Sequence, residues 1–575
     1  MSRMKFLKLM VVLMVLVILG KLFYIQIIQH DEWVAKAAAQ QTLQNVLKAK
    51  RGEIYMLDGE TPVPVVMNAT VYTVIVDPML AEQGDLEEKL TPLIADTKVA
   101  EWSDVFKDTT RRYYIVAKNV RRGVAEKVAE LDLTGVWLQA NNQRVYPEGT
   151  LASTMLGFVN ADGIGQYGVE GSLNKTLAGK DGLLKTVKDV NNVALSITND
   201  YANTPAEDGE DVVLTIDRNM QAQVEKILAA KSQEYGFANM SALVMNPQNG
   251  EIMAMANYPG YDPGDYGNVE SAADYINHVV EDAYEPASMC KTFAFATGAE
   301  YGVMTPEKTF YNTGEITVDN WPIRNASQQS FLLGEQTMQT ALSYSLNTGS
   351  TQVLKWLGGS EMEITAQGRQ RLYDYYYNHF GLGRATGIEL YESLGMLQQP
   401  DIVDGANSTY ANMTFGQNMQ TTMIQVAAAF ASIINGGNYY TPTVVAGKLV
   451  DGKLVRDEKQ EAVRRTVTEE TSAMMRQMLI ATRRSLKESG IDQAGYDTGG
   501  KTGTGQVIKD GAYSFDETEG NYIGFGGSAG QMPEYLIIVR IWESGKKADG
   551  AAHARPLFNE IKNYVQDYLH IKPVL

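Results

Sequence analysis

From Leu9 to Gly20 the chain runs LMVVLMVLVILG without a polar residue. Lys21 interrupts it, and Leu22-Phe23-Tyr24-Ile25 and Ile27-Ile28 resume it. Leu9–Ile28 therefore reaches the roughly 20 residues that a helix needs to cross a bilayer. A lysine near the helix end can reach the headgroups. Arg3, Lys5 and Lys8 precede the run, and Asp31 and Glu32 follow it. The charge asymmetry predicts a cytoplasmic tip and anchor over residues 1–30, with everything later outside. A cleaved signal peptide is the rival, since Ala35-Lys36-Ala37 fits the A-x-A pattern. That site lies far beyond the apolar core, so an uncleaved single-pass anchor is the better reading.

Beyond the anchor the periodicities change. Residues 33–50 are Ala/Gln-rich and read as a helical stalk, and residues 80–135 are charged and mostly helical in pattern. Val71–Val76 alternates and reads as a strand. Residues 146–182 are punctuated by glycine, and Asn199–Gly209 is dense in turn formers. This divides the exterior part into residues 31–207 and residues 208–575. In the second part, Asp211–Ile216 reads as a strand and residues 217–234 as a helix. Ser241–Met245 and Glu251–Met255 flank Asn246-Pro-Gln-Asn-Gly250 as a hairpin. Met474–Lys487 is an amphipathic helix, Tyr522–Phe525 and Tyr535–Trp542 are strands, and a helix covers about 556–568. The pattern predicts an α/β (α+β) domain, one sheet flanked by helices.

Composition narrows the function. At 575 residues, several domains with real cores are expected. The formal charge of −18 repels a phosphate backbone and argues against nucleic acid as a partner. One cysteine, Cys290, rules out an internal disulfide and argues against a cysteine metal cluster, and five scattered histidines argue against a multi-histidine site, so no metal is expected.

Three motifs compete for the chemistry. Gly495-Tyr-Asp-Thr-Gly-Gly-Lys501-Thr502 fits the P-loop pattern, but an amphipathic helix precedes it and β-like sequence follows. Gly526-Gly-Ser528-Ala-Gly530 fits the nucleophile-elbow pattern, but it leads into a strand and reads as a turn. Ser288-Met-Cys-Lys291 sets a hydroxyl and an amine on one helical face. Lysine can serve as base to serine if a dry, electropositive site lowers its pKa. S-x-x-K alone is cheap, recurring at Ser2/Lys5, Ser172/Lys175 and Ser544/Lys547. Its weight comes from Ser345-Leu-Asn347 and Lys501-Thr502-Gly503-Thr504, which follow in order within one predicted domain.

With these residues the chain resembles the class B penicillin-binding proteins, the monofunctional peptidoglycan D,D-transpeptidases. Tyr284-Glu-Pro-Ala-Ser288 resembles the family's Y-E-P-G-S, with Ala287 in place of glycine. Asp211–Asp217 with Gln221, Gly381-Leu-Gly383, Thr386-Gly-Ile388 and Thr414-Phe-Gly-Gln417 with Thr422 and Gln425 match further segments. Asn418 stands where the family usually has glycine. Arg51–Ile54, Asn68, Asp77-Pro78, Arg144–Pro147, Gly157-Phe158, Gly168 and Glu170 resemble its membrane-proximal pedestal. The segment from Gly157 to Glu170 looks more like division-type than elongation-type members.

The resemblance implies a serine β-lactamase-like transpeptidase domain over 208–575, an elongated pedestal over 31–207 and one transmembrane helix. It implies that Ser288 attacks the penultimate D-Ala of a stem peptide, with Lys291 as base, Ser345 as proton relay and Asn347 holding Lys291 and a substrate amide. Lys501 would lower the Lys291 pKa and meet the substrate carboxylate beside Thr502, Gly503 and Thr504. The backbone N–H groups of Ser288 and Thr504 would form the oxyanion hole. Cys290 is expected in the core, facing away from the site, and Glu285 as a structural or capping carboxylate. Stem peptides ending in D-Ala-D-Ala and β-lactams are the implied ligands, and a multi-pass membrane glycosyltransferase is the implied partner. The alternatives are a D,D-carboxypeptidase, a β-lactam-binding homologue, or a non-catalytic cell-wall scaffold.

Overall fold

The computed structural model describes residues 3–33, 36, 42–107, 111–187, 202–326, 330–400, 406–458, 460–485, 492–509 and 512–574. Residues Met1–Gly52 and Ala178–Glu210 form one compact unit, and Glu53–Leu177 with Asp211–Leu575 form a second.

In the first unit Arg3–Phe23 is helical and continues as a wider π turn over Tyr24–Ile28. None of its side chains is buried, and it is long and apolar enough to cross a membrane. Of the helical stalk expected over 33–50, Trp33 and Lys36 are helical, but the stretch from Thr42 onward is not. Thr42–Leu47 is a strand, paired antiparallel with Gly182–Val187. Pairing across some 140 residues overrides the local Ala/Gln signal. Ala35 and Ala37 lie outside the described residues.

The second unit holds the two larger sheets, beside several two-stranded ones. One runs in the order Lys453–Arg456, Val445–Val450, Val212–Asp217, Ile54–Asp58, Thr61–Val76, Tyr114–Arg121, with Val136–Val145 also on Thr61–Val76. Tyr114–Arg121 and Val136–Val145 are strands within or beside the stretch whose pattern is mostly helical. Arg144 and Glu170 form a buried ion pair at 2.6 Å, and Arg144 also donates to Asn68 Oδ1 at 2.9 Å. Three residues of the pedestal-like motifs thus converge.

The other sheet carries the candidate chemistry. Its strands are β1 (Asn239–Met245), β2 (Ile252–Tyr258), β3 (Tyr496–Lys509), β4 (Ala512–Ser528) and β5 (Tyr535–Trp542). The order is β2-β1-β5-β4-β3, antiparallel throughout. Alternate residues sort to opposite faces. Ile537, Val539 and Ile541 face α1 (Arg218–Tyr235) and a C-terminal helix over Arg555–Tyr568, whereas Leu536 and Ile538 join the larger core. That core holds α2 (Lys291–Glu300), α3 (Asn347–Leu357), α4 (Met423–Ile434) and α5 (Glu469–Ser485). With both faces covered, β5 is apolar almost throughout. α1 starts where the Asp217 carboxylate accepts the Met220 N–H and stops at left-handed Gly236. On the C-terminal helix, now α6, Leu557, Phe558, Ile561 and Val565 form the buried stripe, each contributing about 1.5–3 kcal/mol by burial.

Candidate active site

Ser288 lies on a 3₁₀ turn, Ala287–Cys290, that leads directly into α2 at Lys291. The serine and lysine thus meet across a tightened first turn. Lys291 Nζ is 2.7 Å from Ser288 Oγ, 3.0 Å from Ser345 Oγ and 2.7 Å from Asn347 Oδ1. Its side chain is fully buried. The ring of Phe415 lies 5.7 Å away, and no carboxylate pairs with Lys291 among the described residues. Burial, and next the charge of Lys501, holds the Lys291 ammonium well below the usual lysine range.

The second motif closes over the same amine. Ser345 adopts φ +57°, and Asn347 opens α3. Asn347 Nδ2 donates to the Arg324 carbonyl at 2.8 Å, which turns Oδ1 toward Lys291. The third motif arrives on β3, the edge strand of the sheet. Lys501 Nζ is 3.0 Å from Ser345 Oγ, 3.2 Å from the Thr502 carbonyl and 3.4 Å from Thr502 Oγ1. Burial brings its pKa down to about 7. Ser345 therefore touches both amines. At Gly503 a Cβ would stand 3.0 Å from the Pro286 carbonyl oxygen and 3.2 Å from Met289 Cγ, so glycine gives β3 room to lie this close to the Ala287–Cys290 turn. Thr504 stands apart from the amines: its hydroxyl donates to Asp549 Oδ2 at 3.3 Å and accepts from the Gly550 N–H at 3.0 Å.

Neither decoy has the context its motif needs. Lys501 sits inside a strand, and Ser528 ends β4 before the turn into β5. Cys290 is fully buried, its Sγ 3.8 Å from Met419 Sδ. Residues that the motif reading passed over frame the turn. Arg540, buried on β5, bonds Asp282 at 2.7 Å and Glu519 at 2.9 and 3.0 Å, with the Tyr284 ring 4.2 Å from its guanidinium. A lone arginine in the apolar run Tyr535–Trp542 was the available signal. Glu285 is not a helix cap; its Oε1 accepts from the Asn418 N–H at 2.9 Å and from Tyr513 at 3.0 Å.

A sheet with helices on both faces, and three motifs meeting on one buried amine, define the class of penicillin-recognising serine enzymes. The penicillin-binding protein transpeptidase domain matches residues 240–563, and the penicillin-binding protein dimerisation domain matches residues 46–214. The chain therefore belongs to the penicillin-binding protein family, as a class B member. Stage V sporulation protein D of Bacillus subtilis is 29% identical over 583 residues, covering 100% of this chain and 86% of that one. The peptidoglycan D,D-transpeptidase FtsI of Escherichia coli is 26% identical, covering 97% and 90%. Among solved structures, a peptidoglycan synthetase from Bifidobacterium adolescentis superposes with a TM-score of 0.71 at 23% identity, covering 93% of this chain and 98% of that one. Penicillin-binding protein 2X of Streptococcus thermophilus gives 0.70 at 22%, covering 91% and 80%.

Proposed function

We propose that the protein is a serine-type peptidoglycan D,D-transpeptidase acting in septal or sporulation wall synthesis. The observation that carries this is the buried amine of Lys291, without a carboxylate counter-ion among the described residues and 2.7 Å from Ser288 Oγ. A desolvated lysine in that setting gives up its proton more readily than a free one, as a general base must. Lys291 takes the Ser288 proton as Oγ adds to the carbonyl carbon of the penultimate D-Ala. Backbone N–H groups of Ser288 and Thr504 hold the oxyanion, each worth about 3–4 kcal/mol of barrier. The proton passes through Ser345 to the leaving nitrogen, and terminal D-Ala departs. An amine of a second stem peptide then attacks the ester, giving an amide and restoring Ser288. Lys501, Thr502 and Thr504 receive the substrate carboxylate along the unpaired edge of β3, where a peptide can lie as an added strand. Thr504 exchanges its bond to Asp549 for one to that carboxylate.

Residues 31–207 serve as pedestal and 208–575 as the catalytic domain. The two family matches, 46–214 and 240–563, support this division. The apolar helix is a single-pass anchor; Arg3, Lys5 and Lys8 support a cytoplasmic N-terminus and an exterior catalytic domain. With no carboxylate-pair polymerase motif read in the pedestal, the strands to be cross-linked come from a multi-pass membrane glycosyltransferase. Sporulation protein D and FtsI as relatives support a septal or sporulation role.

The test is reaction of the purified protein with lipid-linked disaccharide-pentapeptide and that polymerase. Cross-linked dimers with release of D-Ala are expected; release of D-Ala without dimers identifies a carboxypeptidase. Labelled penicillin should form an ester on Ser288. An adduct that persists in Ser288→Ala, or none at all, overturns the reading.

A further inference from the structure

Glu285 stands three residues before Ser288, half-buried, and lies outside the mechanism above. Its Oε1 accepts from the Asn418 N–H at 2.9 Å and from Tyr513 at 3.0 Å, while Oε2 is buried with no partner among the described residues. The Tyr513 hydroxyl is also 3.0 Å from Asn418 Oδ1. Three elements meet at this carboxyl: the nucleophile turn, the loop after Thr414-Phe-Gly-Gln417, and the far end of β4.

That far end needs support. β4 pairs with β5 only from Gly520 to Gly526, whereas β3 and β4 pair on to Lys509 and Ala512. The hairpin thus projects as a two-stranded arm, and such arms are weak alone. Its root is Thr502–Thr504. Besides Glu285, the arm touches the 417–418 loop through Gln417 Nε2, 3.3 Å from Gln506 Oε1, and its β4 side meets residues 546–548, where Thr518 bonds Ala548 at 2.7 Å and Asp516 pairs with Lys547 at 3.3 Å.

We propose that Glu285 is a positioning residue that clamps the β3–β4 arm to the nucleophile turn, and that it does so as the uncharged acid. Oε2 has no donor to solvate a negative charge, and a buried charge left bare costs far more than a neutral hydroxyl. The charged neighbours do not help. On β4, Glu519 repels a second carboxylate, and Arg540 on β5 is committed to Glu519 and to Asp282. Lys509 and Glu517 on the arm pair with each other at 2.6 Å. Lys291 is turned to Ser288 and Asn347. Burial and Glu285 itself push the Tyr513 phenol up, so it stays a donor. In agreement, burial raises the Glu285 carboxyl to about 7, against the two hydrogen bonds that pull it back. A carboxyl raised on folding stabilises below its unfolded value, and that contribution is lost as pH climbs through the folded one. The clamp is closed in mild acid and loosens above neutrality.

The experiment is hydrogen exchange by mass spectrometry on the full chain in detergent, corrected for intrinsic exchange, at about pH 6 and about pH 8.5. In the parent, arm peptides should lose about tenfold in protection between the two, with α4 and β5 unchanged. Glu285→Gln should hold the same protection at both. Tyr513→Phe, which keeps the ring, should already be loose at the lower pH. The consequence for acylation rests on the proposed function: in Glu285→Gln the fall in penicillin acylation rate above neutrality should be smaller. The exchange arm stands whether or not Ser288 is the nucleophile. Equal parental protection at both pH values, or a Gln variant that loosens like the parent, overturns the clamp.

Discussion

Replacing Lys501 by glutamine removes the cation beside Lys291 that lowers its proton affinity. The two Nζ atoms each lie 3.0 Å from Ser345 Oγ, so they are within about 6 Å of each other. At about 5 Å and an effective dielectric near 20, two unit charges repel by about 3 kcal/mol. Lys501 itself, with a pKa of about 7, is only partly charged near neutrality, so its effect on Lys291 is smaller than that of a full charge. In the proposed mechanism the base works neutral, so the rate should climb with pH through the Lys291 pKa. Removing the neighbouring charge raises that pKa and moves the ascending limb to higher pH. Burial, the larger cause, stays, so the limb should still lie below the usual lysine range. The assay is second-order acylation by a labelled penicillin across the pH range, read by mass spectrometry of the ester. Loss of the carboxylate contact lowers the whole curve; the diagnostic is where it bends. An ascending limb unmoved in Lys501→Gln would refute the electrostatic role.

Lys291→Arg should slow acylation by about 10²–10⁴, because guanidinium does not give up its proton, and a full-length mass spectrum after timed quench checks it. Glu170→Ala strands the buried Arg144 guanidinium and should cost about 3–5 kcal/mol, seen as a lowered denaturant midpoint. Ala287→Gly should leave stability equal or raise it by up to about 1 kcal/mol, since Ala287 holds φ +51°; the thermal midpoint reports it.

The elements were largely readable because their signals are local. The helix 217–234, the 241–255 hairpin, the last two strands and the final helix each carry their own periodicity or turn chemistry. Thr42–Leu47 was not, because its partner Gly182–Val187 is remote and the Ala/Gln-rich sequence before it favours a helix. The serine, lysine and asparagine of the site were readable as ordered short motifs. What spacing cannot express is how β3 presses on the nucleophile turn, or that Asp549 occupies the Thr504 hydroxyl.

The two departures from the family pattern show where such information hides. Ala287 and Asn418 both stand where the family has glycine, and both backbones are left-handed, at φ +51° and +57°. The glycine preference is thus a conformational demand of the fold, and this chain meets it with residues of different tolerance. Asparagine visits that region readily, and its N–H and Oδ1 serve Glu285 and Tyr513. Alanine does not, yet its N–H donates to the Gly416 carbonyl, and Gly416 in turn admits no Cβ, which would fall 2.2 Å from the Ala287 carbonyl oxygen. The strain at Ala287 is therefore held by the same loop that carries Phe415 to Lys291 and Asn418 to Glu285. If Ser288 and Lys291 act as proposed, a strained turn pinned from outside would hold the nucleophile in one orientation, 2.7 Å from its base, before any substrate arrives.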